Sequence, residues 1–170
     1  GAGTSPCNID SDSDGLCDGA STLGDCFGNE QTVGTQPSNP DSDGDGIQDG
    51  LEFTSDCLDP LDQDVDGDGI LDGDEDINTD AVWDEGVETN PCSADTDRDG
   101  LSDGLELGHL TDGCPEGTAS VITNALLADT DGDGLCDGPA VGLAGCIGAE
   151  DQNGDGCLAP TETSALEVDT

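Results

Sequence analysis

The chain has 170 residues, of which 42 are Asp or Glu and one is Lys or Arg, giving a formal net charge of -41. That balance excludes nucleic acid and anionic membrane surfaces as partners, because both need basic patches that Arg98 alone cannot supply. The 31 Leu, Ile, Val and Phe residues are too few and too scattered for one continuous core, so order must come from metal ions and disulfides, the two cross-links the sequence offers.

No apolar run reaches the 18 residues of a candidate membrane-spanning helix. Nine cysteines against one histidine favour disulfides over a zinc site. Oxidised cysteines belong outside the cytosol, so an extracellular or cell-surface location is expected. No signal peptide precedes Gly1, which is the expectation for a mature, processed or truncated chain.

In chain order, the first acidic loop opens at Asp10, with Asp12, Asp14 and Asp18 at its third, fifth and ninth positions and Gly15 at the sixth. Its twelfth position is Ser21, and the missing acid arrives late. The segments DGLCDGASTLGDCFGNE, ending at Glu30, and DGLCDGPAVGLAGCIGAE, ending at Glu150, share one plan. A cysteine stands beside the ninth-position aspartate, the chain makes an excursion, and a second cysteine precedes a glutamate by four residues. This predicts bridges Cys17–Cys26 and Cys136–Cys146, each stapling an insertion so that Glu30 or Glu150 still closes its loop.

The second loop, DSDGDGIQDGLE, is the undecorated template: Asp41, Asp43, Asp45, Asp49 and Glu52 occupy positions one, three, five, nine and twelve. Ca²⁺ is a hard cation that takes six to eight oxygens, and alternate residues of a tightly turning backbone can all point at one centre. Gly46 at the sixth position permits the turn. The third loop is regular (Asp64, Asp66, Asp68, Asp72, Glu75) and runs straight into a degenerate fourth with Asp76, Asn78, Asp80, Asp84 and a late Glu88, where Ala81 replaces the glycine. The fifth (Asp95, Asp97, Asp99, Asp103, Glu106) is regular. The sixth (Asp129, Asp131, Asp133, Asp137) closes late at Glu150. The seventh, abutting it, is degenerate: Asp151, Asn153, Asp155 and Glu162, with Ala159 at its ninth position. These degenerate loops are expected to bind weakly, to use water for a missing ligand, or to share an ion with the loop before.

Between Glu106 and Asp129, the portion TASVITNALLA is the least acidic of the chain and is expected to form a short helix or strand against a neighbour. Elsewhere the absence of apolar periodicity predicts turns, single helical turns after the glycines, and little sheet. The chain closes on Asp169-Thr170, matching the loop openings Asp95-Thr96 and Asp129-Thr130, as a segment of a longer repetitive chain or assembly would.

DSDGDGIQDGLE, DVDGDGILDGDE and DTDRDGLSDGLE resemble thrombospondin type 3 repeats, particularly the bacterial form with its TxP connector (Thr89 to Pro91, less clearly Thr35 to Pro37). The hydrophobe stands at position seven (Leu16, Ile47, Ile70, Leu101, Leu135), whereas an EF-hand has it at eight between long helices. The resemblance implies an elongated array of metal-cored turns, one continuous unit over residues 1–170. It further implies one or two Ca²⁺ per loop, disulfides between neighbours, and no conventional hydrophobic core. Ser21, Ala81, Ala140 and Ala159 depart from its pattern.

Catalysis has little to stand on: His109 follows a loop glutamate, and acid–base work needs a carboxyl singled out in a pocket. Trp83 reads as a hydrophobe under the backbone of the fourth loop, and Arg98 as a solvent-facing or bridging residue. Five cysteines remain after the two staples, and an odd number leaves at least one thiol free or bonded to another chain. Cys57 with Cys92 is one clasp consistent with the spacing, and Cys7 is then free to join protomers. The expected function is a structural, calcium-stabilised spacer or filament subunit that is not an enzyme. Its partners are then itself, head to tail, or the flanking domains of a surface protein, with O-glycans open. The alternatives are an adhesin or docking module and a soluble calcium sink.

Overall fold

The structure is a computed structural model that describes residues 9–19, 26–109, 114, 119–120, 122–139, 145–158 and 162–166. Cys7, Ser21, Ala140, Ala159 and the closing Asp169-Thr170 lie outside the described residues. The chain is mostly irregular. Its helices are single turns: α1 (Glu30–Val33), α2 (Asp49–Glu52), α3 (Asp72–Glu75) and α4 (Asp103–Glu106). Two short strands, β1 (Ala119–Ser120) and β2 (Cys157–Leu158), pair antiparallel. Among the described residues no helix is long and apolar enough to cross a membrane.

Turns of this length cannot persist on backbone hydrogen bonds alone, because nucleating a helix fixes three residues for one bond. Side-chain carboxylates brace the loops that lead into α2 and α4. The first aspartate of a loop receives the amide N–H groups of positions four and six: Gly44 and Gly46 donate to Asp41 at 2.7 and 3.2 Å, and Arg98 and Gly100 donate to Asp95 at 2.7 and 3.1 Å. The fifth-position aspartate receives the amide of position seven, as in Leu16 to Asp14, Ile47 to Asp45 and Leu101 to Asp99, each at 2.7 Å. These bonds need left-handed backbone at two positions per loop. The spacing predicts that for the sixth, and the structure adds the fourth, where even Ser13 (φ 70°) and Arg98 (φ 69°) adopt it.

The position-seven hydrophobes Leu16, Ile47, Ile70 and Leu101 are buried. After Leu16 and Ile47, the largest fully buried side chains are acids, led by Glu30, Glu52, Glu75, Glu106 and Glu150. The interior of this protein is carboxylate.

By contact the chain divides into two compact units, one of residues 1–65 and 71–83, the other of residues 66–70 and 84–170. In the first, the amide of Asp49 donates to the carbonyl of Pro40 and that of Asp72 to Gln63, closing each loop on the residue before it opens. In the second, Asp103 to Ala94 and Asp137 to Ala128 repeat the bond. The connector after Glu106 contributes a strand, as one of the two expected forms: β1 pairs with β2, and Cys114 is bonded to Cys157 beside it.

Both staples form as the spacing predicts, Cys17–Cys26 and Cys136–Cys146. Cys57 and Cys92 are disulfide-bonded as well. Trp83 is half-buried, and His109 and Arg98 are exposed.

Candidate metal centre

The acids gather in two kinds of cluster, each bringing three carboxylate oxygens within 4.8 Å of one another. The first kind draws on positions one, three and five of one loop: Asp10, Asp12 and Asp14, and again Asp41, Asp43 and Asp45. These are half-buried at their outer members and buried at the fifth. The second kind is buried throughout and spans two loops. It joins Asp14 and Glu30 of the first loop to Asp49 of the second, and Asp45 and Glu52 of the second to Asp72 of the third. The spacing alone assigns each ninth-position aspartate to its own loop; the fold brings Asp49 and Asp72 to the acids of the loop before.

The ninth aspartate is turned this way by the residue after the first. Ser42 gives its amide and hydroxyl to the two oxygens of Asp49 at 2.7 and 2.6 Å, and Thr96 does the same to Asp103 at 2.9 and 2.6 Å. Ser11 to Asp18 and Thr130 to Asp137 repeat the pair. The same hydroxyl accepts the amide of the incoming connector, from Gln36 to Ser42 at 3.0 Å, Asn90 to Thr96 at 2.8 Å and Asn124 to Thr130 at 3.0 Å. The recurrence of Ser or Thr at the second position is legible in the sequence, and the sequence reading passed over it.

The tenth-position glycine sets how closely consecutive loops approach. A Cβ on Gly50 would overlap the backbone carbonyl of Asp14, one on Gly73 that of Asp45, and one on Gly104 that of Asp68. At Gly138 the carbonyl of Asp99 would stand 2.8 Å away. In the second unit the amides themselves reach the facing acid, Gly104 to Asp68 at 2.7 Å and Gly138 to Asp99 at 2.5 Å.

Both oxygens of Glu30 and both of Glu52 are buried without a hydrogen-bond partner, as is one oxygen each of Asp14 and Glu106. Leaving a buried anion uncompensated costs several kcal/mol, and buried polar groups without partners are rare in native structures. These clusters could hold a metal ion, and a donor set of carboxylate oxygens fits a hard cation. The electrostatics agree. Burial, and then the facing aspartates, push the Glu30 carboxyl up to about 8 and the Glu52 carboxyl up to about 9. Glu106 rises to about 9 for the same reasons, opposed by the 2.9 Å hydrogen bond from Thr123. Asp14, Asp45 and Asp99 rise to about 6, Asp97 and Glu150 to about 7, with burial the first cause of each. In Asp43, Asp49, Asp103 and Asp137 burial raises the carboxyl while hydrogen bonds lower it.

The remaining sequence-predicted acids fall into two sets. In the third loop Asp64 and Asp66 are half-buried, and Asp68, Asp72 and Glu75 are buried. Asp95 and Asp97 of the fifth loop and Asp129, Asp131 and Asp133 of the sixth are half-buried around buried Asp99, Asp103, Glu106, Asp137 and Glu150. The degenerate loops differ. Asn78, Asp80 and Asp84, and likewise Asn153 and Asp155, face outward. The first acid of each, Asp76 or Asp151, is buried, directly after Glu75 or Glu150. Glu88 is buried but receives the amide of Asp84 at 2.9 Å, while half-buried Glu162 receives the side-chain amide of Asn153 at 3.3 Å.

The staples act on the late glutamates. Around Cys17–Cys26 the amide of Phe27 reaches the carbonyl of Gly15 and that of Glu30 the carbonyl of Cys17; around Cys136–Cys146, Ile147 reaches Gly134 and Glu150 reaches Cys136. The glutamate is thereby returned to its loop. Replacing Cys17 and Cys26 together by Ser is expected to weaken cation binding at Glu30 about tenfold, read by calcium titration, with the clusters of the second loop unchanged. An unaltered titration would show that the hydrogen bonds alone suffice.

The chain matches no family model, no curated protein and no solved structure.

Proposed function

We propose that this chain is a calcium-stabilised, extracellular structural element, a spacer or filament subunit without catalytic activity, in which an array of loops is held by Ca²⁺ in place of a hydrophobic core. The observation that carries the reading is the buried, partnerless pair of oxygens on both Glu30 and Glu52. A flexible calcium sink has no reason to enclose them.

Calcium is favoured over magnesium because Mg²⁺ demands near-octahedral geometry and keeps several waters, whereas Ca²⁺ accepts many carboxylates in flexible arrangements. It is favoured over zinc by the absence of histidine or free-thiolate donors among the clusters. Oxidised cysteines support a secreted or cell-surface setting, where calcium is abundant. The likeness of the loops to thrombospondin type 3 repeats supports the same reading.

The test is metal analysis of protein dialysed against millimolar calcium and excess magnesium, with electron microscopy of the same sample. Saturable uptake of at least one Ca²⁺ per regular loop, in extended particles or filaments, is expected. Weak, non-saturating uptake by collapsed monomers would overturn the proposal.

A further inference from the structure

The buried cluster between loops has a property that the half-buried one lacks: no single loop contains it. Asp14 and Glu30 supply two of its acids, and Asp49, eight residues beyond the start of the next loop, supplies the third. The next joint repeats this with Asp45, Glu52 and Asp72. The ninth aspartate is held toward its neighbour by Ser42 in the first case, and the tenth-position glycine, Gly50 or Gly73, brings the two backbones close enough for the acids to meet. Glu30 and Glu52 are fully buried, with neither oxygen hydrogen-bonded.

Resting on the calcium reading, we infer that each of these joints is a separate cation site owned by two loops at once, so that consecutive loops take up cations cooperatively. A loop on its own has its cluster of positions one, three and five complete. Its joint is incomplete until the next loop docks. Docking without a cation drives a third negative charge into an enclosed pair, at the cost of like-charge repulsion in a poorly screened interior. A cation at the joint removes that cost but has a full ligand set only when the loops are docked. Each event therefore favours the other, and by linkage the preference is reciprocal. The arrangement also has a direction: a loop's ninth aspartate serves the ion of the loop before it, not its own.

The test is Asp49→Asn in the full, oxidised chain, followed by amide NMR during calcium titration. Leu16, whose amide donates to Asp14, and Glu30 report the joint; Gly44 and Gly46, whose amides donate to Asp41, report the second loop's own cluster. In the unaltered protein both sets should move together with a Hill coefficient above 1. In D49N, Leu16 and Glu30 should need at least tenfold more calcium, while Gly44 and Gly46 shift by less than threefold. The reverse pattern, or equal effects on both sets, would overturn the inference while leaving calcium binding intact. No calcium-dependent shift in the unaltered protein would instead remove the functional reading itself. Should D49N fail to fold, Ser42→Ala keeps the charge and removes only the hydroxyl that orients it; the same ordering, smaller in size, is expected, and its absence counts against the shared site.

Discussion

Chelation of calcium by EDTA should abolish the ordered state of this protein, with loss of its far-ultraviolet signal and a clear rise in scattering radius, while the disulfides remain closed. The reason lies in what is buried. An ordinary domain of 170 residues would keep its core after losing its metals, but here the fully buried side chains are mainly acids. A cation that binds only the folded state contributes RT ln(1 + [L]/Kd), about 4 kcal/mol per site when calcium is a thousandfold above Kd. Several such sites exceed the 5 to 15 kcal/mol that separates most folded domains from their unfolded chains.

The response to pH should invert with the metal. Glu30, Glu52 and Glu106 are raised to between about 8 and about 9 in the folded chain. The cation-free fold therefore binds more protons than the unfolded chain, for which an ordinary Glu value is about 4.3. Its stability is present at low pH and falls as pH rises between those values. With calcium the protons compete with the ion, so calcium affinity should rise over the same range. Dichroism that is indifferent to EDTA, or a cation-free form more ordered at pH 9 than at pH 5, would contradict the acid-core account.

Gly104→Ala should be among the most disruptive single substitutions, costing about 3 kcal/mol or more and read as a lowered urea midpoint in calcium. Gly104 lies inside α4, where alanine is intrinsically better than glycine by about 1 kcal/mol. Helix propensity therefore predicts a gain. The added methyl, however, would overlap the carbonyl of Asp68 and separate the Gly104 amide from the Asp68 carboxylate, 2.7 Å away. Backbone cannot yield as a flexible side chain can, so the two loops must part. Gly19 occupies the same tenth position in the first loop with nothing within 4 Å. Gly19→Ala should consequently stay within about 0.5 kcal/mol of the unaltered protein, and equal effects at the two positions would show that loop packing is not the cause.

Much of the local chemistry was legible in the residues alone. The spacing of Asp41, Asp43 and Asp45 implied one cluster, and the matched excursions ending at Glu30 and Glu150 implied their two staples. Both follow from local geometry: an Asx-braced turn closes over six residues, and a disulfide across nine or ten needs no help from distant chain. The strand pairing of Ala119–Ser120 with Cys157–Leu158 and the bond from Cys114 to Cys157 were not legible, since they join segments about forty residues apart that share no pattern.

The ownership of the ninth aspartate was decided only by tertiary structure. Within DSDGDGIQDGLE, Asp49 stands where a single-loop ligand would stand, and nothing in that string says which way it faces. The direction comes from Ser42, which takes up both of its oxygens, and from Gly50, which lets the Asp14 backbone come close enough for Glu30 to share the site. Sequence fixes which atoms can bind a cation because ligand chemistry is a property of the residue. Packing fixes which of them meet, because a shared site exists only where two separately formed loops touch.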